Sequence, residues 1–575
     1  MRSNSLLLGA LLLASASSSC IFVWSGGEHD LRRRGSASVV ADDPAPPPRI
    51  SASELLAHVQ VLASNEFEGR LPGTRGEQLT VDYLVRQAKQ IGLEPGHPDG
   101  TYVQPVPLVG FRSQCTGAFR VGEKELPLEI GKDAVALTRW QDVEVAVDAA
   151  PIVFVGYGVV APEYGWDDFK GVDVKGKTVV MLVNDPPVPD PNDASKLDAK
   201  TFGGKAMTYY GRWTYKYEVA AEKGAAACLI VHQTEPAAYP WSVVLSSWNK
   251  ENFDLQSESK GRDRACIEAW ITLEKAQELF TACGQDFRAL ERAAATREFR
   301  PVELGATATF HARNTTREIQ SRNVVAKLTG SDPARAGEFV VYTAHWDHLG
   351  KDESLQGDQV KNGAVDNATG CAGVLGIAEA FANGPRPPRS VLFLWVTAEE
   401  QGLLGSRWYA THPLHPLETT LADVNMDSLN TWGKTRDIVC VGMGQSTLDD
   451  VLVDCARAQG RVVKPDPSPE KGAYYRSDHF EFAKVGVPSL YADGGEDVVG
   501  RPEGWGHQKA EEFVAKDYHQ VSYEVKLDWD LAGAAQDMEL LHAVGLRVAR
   551  DATWPAWKPG SEFKARREAM LAKPR

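Results

Sequence analysis

The chain has 575 residues, with 62 lysines and arginines against 77 aspartates and glutamates and a formal net charge of -15 at pH 7. That length exceeds one ordinary core and predicts two or three folded units with tails, while 43% hydrophobic and 24% charged residues exclude a disordered, collagen-like or coiled-coil chain. The acidic balance, with no strong basic patch to offset it, argues against nucleic acid as a partner.

Taken in chain order, Arg2, the apolar run Leu6 to Ala14 and the small residues Ala16 to Ser19 read as an export signal over residues 1–20. The run is too short to span a bilayer as a mature helix. Cys20 follows directly, placed as in a bacterial lipoprotein, although Ser17 stands where a larger aliphatic is usual. The expected location is therefore periplasmic, secreted, or attached to an outer membrane through a lipid on Cys20. Residues 21–48, rich in Gly, Ser, Arg and Pro and ending in Pro46-Pro47-Pro48, read as a disordered tether.

Ser51 and Glu54 then form a capping box, with Leu55, Leu56, Val59 and Leu62 following at helical spacing. A turn-rich loop, Gly69 to Gly76, leads to a second helix with Val81, Leu84, Ala88 and Ile91 on one face. These open a domain whose first part covers residues 49–138. From about residue 140 short β-rich runs (Ala150 to Gly158, Thr178 to Val183, Ala227 to Val231) predict an inserted unit over residues 140–315. The run Asn323 to Gly330 starts an alternation of strands and helices lasting to about residue 550, which predicts an α/β sheet covered by helices on both faces, completed by residues 316–550. Val391 to Thr397 is apolar on both faces, as a central strand must be. Residues 551–575 read as a basic, solvated tail. The eight cysteines form no CxxC pair and read mostly as small buried apolar residues.

Four segments place acidic or imidazole side chains after apolar, strand-like runs or before a helix. Phe339 to Ala344 leads into His345-Trp346-Asp347-His348; Gly363 to Gly370 carries Asp366; Val391 to Ala398 leads into Glu399-Glu400; Leu421 to Met426 leads into Asp427. A fifth element is His519, in Lys516 to Gln520. Ligands of open α/β sheets sit beyond the carboxyl ends of the strands, so these segments are expected to converge. Imidazole and carboxylate ligands suit zinc, and the absence of accompanying cysteines excludes a thiolate site. Two metals bridged by one carboxylate can jointly hold a hydroxide and polarise a carbonyl, a site needing about five ligands and one free carboxylate as base. By itself Glu399-Glu400 reads as a solvated acidic loop, and only the apolar strand before it and its companions reverse that reading. His348 reads as a histidine at the surface or behind the ligands.

His345-x-Asp347, the Asp366 loop, Glu399-Glu400, Asp427 and His519 resemble the motif set of the zinc exopeptidase family that contains bacterial aminopeptidases, glutamate carboxypeptidases and glutaminyl cyclases, over residues 49–138 and 316–550. The resemblance implies a phosphorylase/hydrolase-like mixed sheet and two zinc ions per chain. It further implies that Asp366 bridges both metals, that His345 and Asp427 complete one site, and that Glu400 and His519 complete the other. Glu399 would be the general base, and Asp347 would orient His345. Trp346, Val365 and Ser428 depart from the family pattern without touching a ligand. Tyr475, Arg476 and His479, before Gly486-Val487-Pro488, look like the family's pocket-lining segment and are the substrate-contact candidates. Residues 150–310 resemble the protease-associated domain inserted in several members, with Gly156 to Pro162 and Lys175 to Met181 carrying the likeness, which implies shielding of the site or contact with proteins.

The function so implied is hydrolysis of N-terminal residues from peptides. The alternative is a glutamate-carboxypeptidase-like or dipeptidase activity on the same metals, since an arginine such as Arg476 can hold a terminal carboxylate. A glutaminyl cyclase fits less well with an inserted domain, and a receptor-like member fits badly with an intact ligand set. No G-x-S-x-G or H-E-x-x-H occurs, which excludes a nucleophile-elbow serine hydrolase and a zincin.

Overall fold

The computed structural model describes residues 49–248 and 250–572; the export signal, the tether and Cys20 lie outside them. The first helix, Ala52–Leu62, starts where its cap dictates, the Ser51 hydroxyl accepting the Glu54 N–H at 3.3 Å. The second, Arg75–Ile91, buries Val81, Leu84 and Ala88. Both join Gly370–Asn383 and Ala532–Arg550 in one core on one side of the sheet.

That sheet runs in the order Val462–Pro465, Asp437–Val441, Ser489–Gly494, Thr420–Asn425, Phe339–His345, Ser390–Val396, Val302–Leu328. Its four middle strands are parallel, and antiparallel pairs flank them. Alternate residues face opposite sides, as the pleat requires. Val340, Tyr342 and Ala344 meet the four helices, whereas Phe339 and Val341 meet Tyr409, Leu417 and Phe482. Burying both faces of such a strand is worth ~1.5–3 kcal/mol for each large apolar side chain, so the centre of the sheet is a rigid platform. Phe339–His345 has Ser390–Val396 on one side and Thr420–Asn425 on the other. The connections therefore reverse direction at this strand, and a crevice opens beyond its carboxyl end.

Two long strands, Val103–Val121 and Val302–Leu328, pair antiparallel over their shared length and carry the chain into a second lobe. Thr315 to Glu318 are exposed and form a waist. Beyond it the sheet continues through Glu144–Phe154, Thr178–Leu182, Ala227–His232, Ile267–Thr272 and Ala134–Leu137, around a separate core that includes Phe154, Leu229, Ile271, Phe280 and Phe310. This core also takes in Phe119, Leu126, Leu128 and Ala134. The boundary expected at residues 138–140 therefore moves to the waist, where Gly110 pairs with Arg317. No turn marks it in the sequence, because the strands cross it unbroken.

The expected solvated tail also differs. Trp557 and Phe563 are buried, Lys564–Leu571 is a helix, and the Arg567 guanidinium donates to the carbonyls of Leu417 and Thr420 at 2.9 and 2.8 Å. Two aromatic anchors dock the segment, and the basic composition hides this. Among the described residues the cysteines are free, and no helix is long and apolar enough to cross a membrane.

Candidate metal centre

The carboxyl ends of three parallel strands deliver the acidic and imidazole groups. Phe339–His345 ends on His345, Ser390–Val396 runs on to Glu399 and Glu400, and Thr420–Asn425 runs on to Asp427. His345 Nε2 lies 3.1 Å from Asp366 Oδ1, 3.5 Å from Asp427 Oδ1 and 3.8 Å from Glu399 Oε2. His519 Nε2 lies 3.3 Å from Asp366 Oδ2 and 3.4 Å from Glu400 Oε2. His348, expected at the surface or behind the ligands, is fully buried with Nδ1 2.5 Å from Glu400 Oε1. Two groups result, His345/Asp366/Asp427 and His348/Asp366/Glu400, and Asp366 belongs to both.

Asp366 reaches this position on a tight loop. Gly363 has φ +56°, and a Cβ there would meet the Asp366 carbonyl oxygen at 2.4 Å and the His348 ring at 2.5 Å, so only glycine fits. Asn367 ties the loop to the Asp427 segment, donating to the Met426 carbonyl at 3.0 Å and accepting the Gly370 N–H at 2.8 Å. Arg70, 1% exposed, locks the loop from below. Its guanidinium donates to the carbonyls of Trp346, Leu62, Asn362 and Gly363 at 2.6–2.8 Å. In the sequence Arg70 stands inside the turn-rich loop Gly69 to Gly76, and its one signal is a charged residue in a Gly/Pro-rich stretch.

Burial dominates the electrostatics. It raises the Glu399 carboxyl well above the ordinary range, helped by Glu400, Asp478 and Asp427 and opposed by His345. Asp347 is likewise pushed up to about 7 by burial. For Asp366, burial works upward, but hydrogen bonds from His345 and His519 outweigh it and hold the group well below the carboxylate range. Burial lowers His348 below its ordinary value. The Asp347 carboxylate accepts the backbone N–H groups of Glu399 at 2.9 Å and Glu400 at 3.3 Å. The contact it was expected to make with His345 is instead 3.8 Å long, and His345 Nδ1 faces the Asp347 main-chain carbonyl at 3.2 Å. Both oxygens of Asp347 are engaged by the turn, so its backbone steadies the imidazole.

This donor set fits a divalent cation of the zinc type. His345 Nε2, Asp366 Oδ1, Glu400 Oε1 and both His348 ring nitrogens are buried and, close as some of them stand to one another, make no hydrogen bond of good geometry, an arrangement costly for a protein to keep unless something else engages them. The nearest thiol, Cys371, donates to the His345 carbonyl at 3.1 Å, and burial pushes its pKa up to about 12, so it is no thiolate ligand.

Glu399, Glu400 and His519 line a cleft of about 360 Å³ between the two lobes, together with Tyr475 and Arg476. Tyr475 donates its hydroxyl to Glu562 at 2.8 Å, and Arg476 is exposed. The third substrate-contact candidate, His479, is not among the lining residues. It is fully buried against Tyr474 and Tyr491, and burial lowers its pKa to about 3. A neutral ring inside an aromatic cluster is a core residue, and the correction follows from that packing.

Residues 323–542, which contain His345, Asp347, His348, Asp366, Glu399, Glu400, Asp427 and His519, match peptidase family M28. The match lies in that segment of the chain. M28 is the zinc exopeptidase family that the five motifs resemble, and the chain is accordingly a zinc metallo-exopeptidase. It is 23% identical over 545 residues, 92% of this chain and 90% of the other, to a Mycobacterium tuberculosis protein described as "Probable lipoprotein aminopeptidase LpqL". It is 37% identical over 73 residues, 12% of this chain and 7% of the other, to the vacuolar membrane protease of Verticillium alfalfae. The aminopeptidase from Aneurinibacillus sp. strain AM-1 superposes with a TM-score of 0.48 at 17% identity, covering 89% of this chain and 95% of that one. Arg70 and Asn367 hold the loops on which these groups stand.

Proposed function

We propose that the chain is an exported di-zinc aminopeptidase that removes N-terminal residues from peptides. The observation that carries the metal count is Asp366, whose Oδ1 faces His345 and whose Oδ2 faces His519, as a carboxylate bridging two cations must. His345 and Asp427 would hold one zinc, Glu400 and His519 the other. Glu400 supports His519 over His348 as the ligand: its Oε2 faces His519 while its Oε1 meets His348, leaving His348 to hold the carboxylate from behind. Bound there, zinc would polarise the scissile carbonyl and acidify water. Glu399, at 3.8 Å from His345 in the cleft wall, takes a proton from the attacking water and hands it to the leaving amine, a role worth ~10² to 10⁴ in rate. Ser477 donates to Asp427 Oδ2 at 2.7 Å and fixes that ligand's orientation.

The second lobe is read as a protease-associated domain that narrows access to the centre. Export rests on residues 1–20, and the lipoprotein in the name of the mycobacterial relative agrees with a lipid on Cys20. The test is metal analysis of the mature protein joined to cleavage of one pentapeptide, free, N-acetylated or C-amidated. About two zincs, loss of activity with a chelator, and cleavage stopped by acetylation alone are expected. Blocking by amidation alone would move the enzyme to the carboxypeptidase alternative, and activity after thorough metal removal would end the zinc reading.

A further inference from the structure

Two arginines face the cleft that Glu399, Glu400 and His519 line, without a counter-charge. Arg212, from the second lobe, is 8% exposed, and its Nε is buried with no hydrogen-bond partner. Arg476, from the catalytic lobe, stands with its guanidinium 5.9 Å from the Tyr239 ring. Neither forms an ion pair among the described residues, although Arg139, Arg264, Arg407 and Lys484 on the same cleft are all paired with carboxylates. Burial, then repulsion from Arg476, lowers Arg212 to about 10. A buried cation is ordinarily paired, and Arg212, repelled by the exposed Arg476, lacks such a partner and calls for an anion beside it.

The backbone agrees. Arg212 is the N-cap of the ten-residue helix Trp213–Glu222, and no side chain caps that end. The first N–H groups of a helix lack intrahelical partners and favour negative charge, and Trp213 and Thr214 line the same cleft. Glu218, on the same helix, binds Lys484 and the Tyr209 hydroxyl, and burial raises the carboxyl of Glu481, another residue lining the cleft, above its ordinary value. Lys250, from the same lobe, adds a further positive charge that reaches Glu400 electrostatically.

We propose that Arg212, the N-terminus of its helix and Arg476 together bind a carboxylate of the peptide substrate, so that the second lobe selects short peptides by their free C-terminal carboxylate while the metal centre cleaves at the other end. An arginine fork suits a carboxylate in shape as well as charge. The direction of cleavage rests on the aminopeptidase reading; the anion site does not.

The experiment compares a free-acid tripeptide with its C-amide, and with an amidated tripeptide carrying glutamate in the middle, on wild-type enzyme and on Arg212→Met, Arg212→Lys and Arg476→Met. The wild type should prefer the free acid. Each methionine variant should raise KM for it by ~10- to 100-fold, the worth of a charge-assisted pair, with kcat, zinc content and the KM for the plain amide unchanged. Arg212→Lys should restore part of the loss. A preference for the glutamate peptide in place of the free acid would name the side chain as the source of the carboxylate and leave the site standing. Equal handling of all three peptides by the wild type, or equal KM shifts for acid and amide in the variants, would overturn it. If Arg212→Met does not fold, exposed Arg476 alone decides. N-acetylation separates the two ideas: an acetylated peptide cleaved only as the free acid would keep the arginine pair and reject the aminopeptidase.

Discussion

Asp347 accepts the Glu399 N–H at 2.9 Å and the Glu400 N–H at 3.3 Å, so one buried carboxylate sets the turn on which both glutamates leave the sheet. It therefore positions at once the proposed base and one proposed ligand. Asp347→Asn, which cannot accept both bonds, should lower kcat/KM by ~10- to 100-fold and weaken zinc retention on dialysis. A loss of activity with unchanged metal affinity would confine its role to Glu399.

Glu399 and Glu400 separate by what they touch. Glu399 lies beside His345, while both oxygens of Glu400 meet histidines. Glu399→Gln should keep about two zincs and lose ~10²- to 10⁴-fold in kcat, whereas Glu400→Gln should also release one zinc. Equal metal content in the two variants would reverse or merge the roles.

The two histidines on Glu400 are told apart in the same way. His519→Asn should remove one zinc outright. His348→Asn should leave the stoichiometry near two in excess metal and weaken retention by ~10- to 100-fold, as for groups that hold a ligand from behind. The opposite pattern, read by metal titration, would make His348 the ligand.

The placement of the centre was legible because its groups follow apolar strands. His345, Glu399 and Asp427 each end a run whose two faces are buried, and parallel strands must converge at their carboxyl ends. His348 and Arg70 were not, since each owes its position to a loop whose path no periodicity records. The lobe boundary failed for a related reason. Val302–Leu328 runs through the waist as one unbroken strand, so no turn or breaker shows that it serves two cores. The tail misled because its many charges mask the two aromatics that anchor it.

His542 offers a pH test remote from the metals. Its ring lies 4.4 Å from that of Phe381, and burial lowers its pKa from 6.5 to about 4. A base with a depressed folded pKa takes up its proton first in the unfolded state. Its neutral form therefore costs nothing above pH 6.5, and stability falls as the pH drops from there toward 4. At pH 5 the loss should reach ~2 kcal/mol. Denaturant titrations at pH 8 and pH 5 should show wild type losing about that much more than His542→Leu; parallel losses would mean that the buried ring protonates without hindrance.

The waist makes the second lobe removable. The acidic and imidazole residues of the centre all lie outside residues 111–316, and Gly110 and Arg317 are paired across the ribbon, so a two-residue Asn-Gly turn can join them as a hairpin. Removing the segment strips Phe253 from a cluster with Val106, Leu108, Ile319 and Leu404, and breaks the Arg407–Asp254 pair. Loss of a buried phenylalanine costs ~3–5 kcal/mol, so the shortened chain should melt earlier and yet bind about two zincs. It should still cleave C-amidated dipeptides, because the base and ligands remain. It should lose the preference for free acids, because Arg212 has gone, and accept longer peptides, because the cleft has lost one wall. A folded, zinc-loaded product with no activity on any peptide would show that the second lobe takes part in the chemistry itself.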